Sequence, residues 1–526
     1  MIVRTLIKPS EYHDSVSLML VARELAKQPG VQDAAVVMAT EANKSILEGS
    51  GLLTDAVKAA SPNDLVLAVS AADEGAAGLA LEQAEILLKK KAAPEGGGEF
   101  RPKTLRGALS MQPGSNLAVI SVAGRYAADE AWEALHRGLH VLLFSDNVAL
   151  EDEIALKRYA RDRGLLLMGP GAGTAVLNGV ALGFANMLPR GPVGIVSAAG
   201  TGLQEVSTLI ARHGAGVSQG IGTGGRDLKK EVGGIMMLLG LQALQEDPAT
   251  EVIVLVSKPP AGEVAQKMLA QAAASPKPTV VCFLGGDPQQ MAGFPNVIPA
   301  RTLQECALLA ANLIQPAPGD IHALLHAQQA TLAQKARLLK SKLSPTQRYL
   351  RGLFSGGTLC YEAQVIWRDM LPAPVYSNAP LPGGPALPDS TRSLEHTTVD
   401  LGEEEFTVGR PHPMIDNDLR IRRLLQEARD PDTAVILLDV VLGYGAHPDP
   451  AAELGPAIRQ ARELAADGGR ELIVVASVTG TEGDPQGLRR SIAALEAAGA
   501  VVCDSNAAAA QLTGRIVSAQ AEGTHG

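Results

Sequence analysis

Short apolar runs alternate with amphipathic stretches along the whole chain, and the two periods mark its elements. Ile2–Lys8, Asp33–Met38 and Leu65–Val69 have the length and content of strands, and Tyr12–Lys27 and Gly75–Lys90 have helical spacing. That order predicts a small βαβ-type α/β domain over residues 1–91. Ala92–Glu99 is a linker by composition. Leu117–Val122, His140–Phe144 and Leu165–Met168 read as strands separated by helices over Ala127–His136 and Glu151–Arg163. This alternation predicts a parallel sheet with right-handed crossovers over residues 104–185. Its third strand ends in the glycine-rich turn Gly169–Thr174.

A third unit, residues 190–316, begins with the strand Val193–Val196. A helix follows on which Leu203, Val206, Leu209 and Ile210 share one face. The strands Gly216–Ile221, Val252–Val256 and Thr279–Leu284 follow, with a helix over Gly262–Ala273. The loop Ser257–Ala261 lies at the same sheet edge as the glycine turns. Residues 319–345 form a charged helical connector. The last unit, 346–526, repeats the third. Gly200-Thr-Gly-Leu-Gln-Glu205 parallels Gly357-Thr-Leu-Cys-Tyr-Glu362, and the Asp-Pro-x-Thr at Asp247 parallels that at Asp430. Gly286-Asp-Pro-Gln289 parallels Gly483-Asp-Pro-Gln486. Three matches in the same order imply an internal duplication. Ser377–Ser390, rich in Pro and Gly, is expected to be an exposed loop.

Composition narrows the class. A chain of 526 residues exceeds one core. Hydrophobic residues make up 46% but aromatics only 3%, so the core is built from Ala, Val, Leu and Ile. A net charge of −10 argues against nucleic acid as a partner. No apolar run reaches the ~18 residues of a membrane span. The start of the chain reads as a strand rather than a signal peptide. Cys282, Cys306, Cys360 and Cys503 lack metal-ligand spacing and suit a reducing compartment. The expectation is a cytoplasmic protein without metal.

Five glycine turns have the make-up of a strand-to-helix anion site: Gly169–Thr174, Ser197–Gly202, Gly222–Arg226, Ser355–Thr358 and Gly443–His447. Free backbone N–H groups and a helix dipole favour phosphate or carboxylate at such turns. A tight turn with no ligand is the competing reading for each. The duplication can bring two helix N-termini onto one oxyanion. Ser197, Gly200, Thr201, Gly202, Gly357, Thr358, Gly443, Gly445 and Ala446 are the candidate phosphate ligands. Gly222, Thr223, Gly224 and Gly225 are candidates for a second substrate group. Arg410, His412 and His447 are the candidate catalytic residues, because Arg grips oxyanions bidentately and His donates or carries a proton. Capping of proline-flanked turns is the alternative for both histidines. His136 and His213 lie on helical faces and read as structural. Asp400 and Glu403–Glu405 read as a solvated acidic loop. Walker A, Gly-x-Ser-x-Gly and His-Glu-x-x-His patterns are absent.

The run from Leu117 to Leu284 resembles the α subunit of succinyl-CoA synthetase and the nucleotide-forming acyl-CoA synthetases. The resemblance rests on Gly169-Pro170, Gly194-Ile-Val-Ser197, Gly200-Thr201, Gly220-Ile-Gly222 and the Asp-Pro-x-Thr before a strand. The last unit resembles the ligase domain of the β subunit. The one-chain arrangement, with Gly352-Leu-Phe-Ser-Gly-Gly-Thr-Leu-Cys-Tyr-Glu-Ala363 and Gly443-Tyr-Gly-Ala-His-Pro-Asp449, is similar to FdrA-type proteins. This resemblance implies a CoA-binding-like Rossmann domain and two flavodoxin-like ligase-type domains, behind the small N-terminal α/β domain. The synthetases carry a phosphorylated histidine in a Gly-His-Ala-Gly-Ala loop. Gly285–Gly293 holds no histidine, and no ATP-grasp domain is present. A cradle kept without its histidine suits a ready-made acyl phosphate. The FdrA resemblance implies a subunit of oxamate carbamoyltransferase, acting with two partner subunits in allantoin degradation. Its ligands would be carbamoyl phosphate or phosphate and a small carboxylate, with no cofactor required. Two alternatives stay open: an acyl-CoA synthetase subunit that needs CoA and a separate ATP-grasp chain, and a non-catalytic phosphometabolite-binding subunit. Self-association into a homo-oligomer also stays open.

Overall fold

Leu65-Val-Leu-Ala-Val-Ser-Ala71 is apolar on both faces, so it needs cover on both sides. In the computed structural model it is the central strand of the first unit. The structure describes residues 2–9, 11, 15–40, 43–44, 47–48, 50–90, 102–316, 320–407 and 410–518. Chain contacts divide these into two compact units, 1–102 with 402–413, and 103–401 with 414–526. In the first unit, β1 (Ile2–Lys8), α1 (Ser15–Ala26), β2 (Val31–Met38), β3 (Leu65–Ala71) and α2 (Glu74–Lys90) follow in order. β3 runs antiparallel to both β1 and β2 and lies between them. The βαβ expected from element order is therefore split by an inserted antiparallel strand. Leu65, Leu67 and Val69 pack with Leu18, Leu25 and Ala80 on one face. Val66 and Ala68 pack with Leu47, Leu52 and Val57 on the other. The start of the expected helix at Tyr12 and the linker Ala92–Glu99 fall outside the described residues.

The second unit holds three sheets among the described residues. β4 (Leu117–Ile120), α3 (Gly124–His136), β5 (His140–Leu143), α4 (Leu150–Arg161) and β6 (Leu167–Met168) form a parallel sheet in the order β4-β5-β6. The hairpin β7 (Thr174–Leu177) and β8 (Val180–Gly183) leaves this sheet and joins the next one antiparallel. Sequence order had placed it with the preceding domain; its pairing through Val176 and Gly220 decides otherwise.

The next elements are β9 (Arg190–Ser197), α5 (Gly200–Arg212), β10 (Val217–Gly222), α6 (Ile235–Glu246), β11 (Val252–Ser257), α7 (Gly262–Ala273), β12 (Thr279–Phe283), β13 (Val297–Pro299) and α8 (Leu303–Ile314). They form the order β13-β12-β11-β9-β10-β7-β8. After α9 (Ile321–Lys340) come β14 (Tyr349–Phe354), α10 (Gly357–Met370), β15 (Val375–Ser377), β16 (His396–Asp400), α11 (Asp418–Arg429), β17 (Thr433–Val441), α12 (Pro450–Asp467), β18 (Ile473–Thr479), α13 (Leu488–Ala497), β19 (Val501–Cys503) and α14 (Asn506–Ser518). Their order is β15-β16-β14-β17-β18-β19. The two sheets repeat one plan: β9 lies between β10 and β11, and β14 lies between β16 and β17. Their carboxyl ends are topological switch points, where open α/β sheets bind ligands. α5 and α10 start there.

One core cluster spans both ligase-type domains, with Val206, Leu209, Ala307, Leu359, Ala363, Ala508 and Leu512 among its members. Small residues along α14, Ala507 to Ala510, are fully or almost fully buried and let α10 approach it closely. The loop expected to be exposed at Ser377–Ser390 departs from that expectation. Ser377, Leu381 and Leu387 are buried, and Leu381 joins the core cluster. Arg423 holds the end of this loop through the Ser390 carbonyl at 2.7 Å and Ser393 Oγ at 2.9 Å.

Candidate active site at paired helix N-termini

β9 ends in Ser197, and α5 begins three residues later at Gly200 with no side-chain cap. β14 ends in Phe354, and α10 begins at Gly357, also without a side-chain cap. The first N–H groups of such helices lack intrahelical acceptors. The two starts lie against each other. A Cβ on Gly356 would come within 2.8 Å of Thr201 Cγ2, and one on Gly202 within 3.0 Å of Thr358 Cγ2. Each threonine thus fills the space that the other helix leaves by having glycine there. Thr201, Gly202 and Thr358 are buried, Gly357 is half-buried and Gly200 is exposed, so the pair is open at Gly200.

The halves differ in what already occupies them. Ser197 Oγ accepts the Ala199 N–H at 3.0 Å. In the second half, Asp439 accepts the Ser355 N–H at 2.7 Å, the Ser355 hydroxyl at 3.0 Å and the Gly356 N–H at 2.8 Å. Fully buried Arg420 pairs with the same carboxylate at 3.0 Å. Asp400, expected in a solvated loop, is buried at the end of β16. A Cβ on Gly357 would lie 2.6 Å from its Oδ2. Glu403–Glu405 are exposed as expected. The turn before α10 is therefore charge-balanced by the chain itself, whereas that before α5 is not. Lys258, in the loop after β11, adds a cation at this edge, its ammonium 5.3 Å from the Tyr361 ring centre.

The other glycine turns are engaged internally. Gly443 donates to Gln486 Oε1 at 3.0 Å, and Tyr444 donates to the Ala185 carbonyl at 2.8 Å. A Cβ on Gly445 would crowd the Gly183 carbonyl at 3.1 Å. Of Gly443, Gly445 and Ala446, the expected phosphate ligands of this turn, Gly443 gives its N–H to Gln486, and the turn docks on residues 183–186. Asn186 links this turn to α5. Its Nδ2 donates to the Leu442 carbonyl at 2.9 Å, and its Oδ1 accepts from Gln204 at 3.1 Å. Thr223 donates its N–H to the Ser197 carbonyl at 2.8 Å, and Gly224, at φ +82°, packs its Cα on the Pro170 carbonyl. Gly222, Thr223 and Gly224 are buried in this packing; Gly225 is exposed. Thr223 and Gly224 join the Gly169–Thr174 turn to β9.

His447 caps a turn, the alternative kept for it. Its Nδ1 accepts the Asp449 N–H at 3.0 Å, and its Nε2 lies 3.2 Å from Glu453. Both nitrogens are engaged. His447→Ala is expected to cost about 1 kcal/mol of stability and to leave the affinity for inorganic phosphate unchanged in a calorimetric titration. A large fall in that affinity would return His447 to the site. Arg410 and His412 belong to the segment 402–413, which groups with the first unit. His136 sits against Trp132 and Tyr159, and burial lowers the pKa of His213.

Three groups that the sequence reading did not single out lie beneath the helix pair. Glu205 of α5 and Glu362 of α10 are fully buried, and both reach Asn506. Asp439 is the third. An acidic residue inside the apolar run Val435–Val441 was the available signal for Asp439.

Against known proteins, residues 353–516 match the CoA-ligase family model, and residues 1–103 match that of the AllF heavy metal-associated domain. The chain is 46% identical over 510 residues to the uncharacterized protein YahF of Escherichia coli, covering 96% of this chain and 97% of that one. The chain belongs to the YahF family. Over 146 residues it is 27% identical to the alpha subunit of succinate–CoA ligase [ADP-forming] of Methanothermobacter thermautotrophicus, 27% of this chain and 48% of that subunit. A solved structure of dinucleotide-forming acetyl-coenzyme A synthetase 1 of Ca. Korarchaeum cryptofilum aligns over 77% of this chain and 83% of its own, at 15% identity and a TM-score of 0.28. Residues 353–516 thus carry a CoA-ligase domain. Thiolate and thioether ligands select soft metals, and residues 1–103 contain no cysteine. Among the described residues, no helix is long and apolar enough to cross a membrane.

Proposed function

We propose that this YahF-family chain is a subunit of a carbamoyl-transfer enzyme that interconverts oxalurate plus phosphate with oxamate plus carbamoyl phosphate. The observation that carries the reading is the abutting pair of uncapped helix starts, Thr201 on Gly356 and Thr358 on Gly202. A phosphate at the open first turn of α5 would receive the N–H groups of Gly200, Thr201 and Gly202, with the start of α10 opposite. A phosphate oxygen attacks the carbamoyl carbon, the carbon–nitrogen bond to the oxamate portion breaks, and the leaving nitrogen takes a proton. Fixed backbone dipoles offset the charge that moves in this step. No phosphohistidine is needed, in keeping with Gly285–Gly293, which has none. The AllF-type match of residues 1–103 supports the allantoin connection. Lys258 joins the proposal as a cation at this edge.

Two experiments test it. The chain purified with its partner subunits should form carbamoyl phosphate from oxalurate and phosphate. Inorganic phosphate should bind the wild-type chain in calorimetry. Gly356→Val, which pushes Thr201 and α5 away, should weaken that binding by about tenfold or more. Unchanged binding in Gly356→Val, or no carbamoyl phosphate from the assembled complex, would sink the reading. The CoA-ligase match of residues 353–516 favours the second reading, an acyl-CoA synthetase subunit. CoA binding by the chain, without carbamoyl phosphate formation, would select it.

A further inference from the structure

The duplicated helices carry one carboxylate each at equivalent positions, and each carboxylate crosses to the other domain. Glu205, on α5 of the first ligase-type domain, accepts the N–H of Asn506, the first residue of α14 in the second, at 2.9 Å. Glu362, on α10 of the second domain, accepts the N–H of Leu303, the first residue of α8 in the first, at 2.7 Å. The closing helix of each domain is thus held at its start by the opening helix of the other. Asn506 joins the two carboxylates: its Nδ2 donates to Glu362 Oε2 at 2.8 Å and to the Leu359 carbonyl at 3.0 Å. Its Oδ1 is buried and has no hydrogen-bond donor. Burying an amide oxygen unpaired is costly. The seam is one donor short.

We propose that Glu205, Glu362 and Asn506 form a proton-binding seam that positions the paired starts of α5 and α10: one glutamate carries a proton, the seam is closed in that state, and loss of the proton loosens it. A protonated carboxyl removes one of the two buried negative charges that meet at Asn506.

The surroundings agree. Around Glu362 stand Glu205 on α5, Glu305 on α8, Cys282 on β12 and Asn506 on α14, and among the described residues no cation acts on its carboxyl. Around Glu205 stand Asp439 on β17, the Thr479 hydroxyl on β18, which donates to it, and Arg212 about two turns further along α5. Arg420 is already paired with Asp439. Burial raises the Glu362 carboxyl to about 7 and also raises that of Glu205. A carboxyl raised on folding adds most stability below its unfolded value near about 4.3, and that stability is lost as pH rises through the folded value.

The test is denaturant unfolding of the full chain, without phosphate, between about pH 5 and pH 8. Relative to Glu362→Gln, the wild type should unfold more readily as pH rises, by up to roughly tenfold in equilibrium constant per pH unit over this window. Gln is uncharged like the neutral acid and does not titrate. If Glu362→Gln does not fold, amide hydrogen exchange at Leu303 and Asn506 in the wild type serves instead, corrected for intrinsic rate. Those two amides should open more readily as pH rises. Equal pH dependence in wild type and variant, or flat exchange at both amides, overturns the proposal and leaves a buried water as the partner of Asn506. A failed phosphate titration would not bear on this result, because the seam experiment contains no phosphate.

Discussion

Lys157→Met is expected to destabilise the second unit by about 3–5 kcal/mol, because it leaves buried Asp227 without its cation and Glu153 with Arg226 alone. Lys157 is fully buried and lies 2.8 Å from Glu153 and 2.8 Å from Asp227. Its ammonium also donates to the Thr223 carbonyl at 3.2 Å. Asp227 in turn accepts the N–H groups of Met236 at 3.2 Å and Met237 at 2.8 Å, at the start of α6. Arg226 reaches Glu153 at 2.8 Å and would remain, but it cannot replace the contact with Asp227. The lysine therefore ties α4 of the CoA-binding-like domain to the Gly222–Arg226 turn and α6 of the next. Methionine keeps the packing volume and removes the charge, so the loss measured in urea unfolding reports the ion network. A change below about 1 kcal/mol, the size of a surface pair, would show that the network contributes no more than an exposed one.

Asp439→Leu should cost a similar amount, about 3–5 kcal/mol, for the converse reason. It strands the buried Arg420 guanidinium and deprives Ser355 and Gly356 of their shared acceptor. Burial pulls the Arg420 pKa down while Asp439 holds it up, so the pair depends on both members. The double variant Asp439→Leu, Arg420→Leu should recover part of the loss, since it removes the unpaired charge. A double variant as unstable as the single one would refute this account. Phosphate affinity should fall in both, because the Ser355–Gly356 turn loses its anchor and Gly356 its fixed contact with Thr201.

The order of strands and helices was legible because the apolar runs are short and the helical spacing regular. The repeat at Asp247 and Asp430 announced two sheets of one plan. What stayed hidden depends on contacts distant in sequence. β3 separates β1 from β2 only because its two faces are both apolar, a feature visible in Leu65–Ala71 but not weighed. Composition marked Gly200–Gly202 and Gly356–Thr358 as turns, but not that Thr201 fills the space above Gly356. It also could not show that Gly443 had given its N–H to Gln486, since a glycine turn looks the same whether its donors are free or taken. Glu205 and Glu362 were read only as aligned letters. A carboxylate on the apolar side of two related helices was the signal that they serve the interior.

The crossed glutamates have a consequence for synthesis. Glu205 meets its partner 301 residues further along the chain, and Glu362 accepts from Leu303, which leaves the ribosome before it. At about 5–20 residues per second, α5 waits roughly 15–60 s for α14 to be made. During that interval the first ligase-type domain has a carboxylate with no closing helix to receive it, and nascent-chain surveillance would meet the protein in that half-built form.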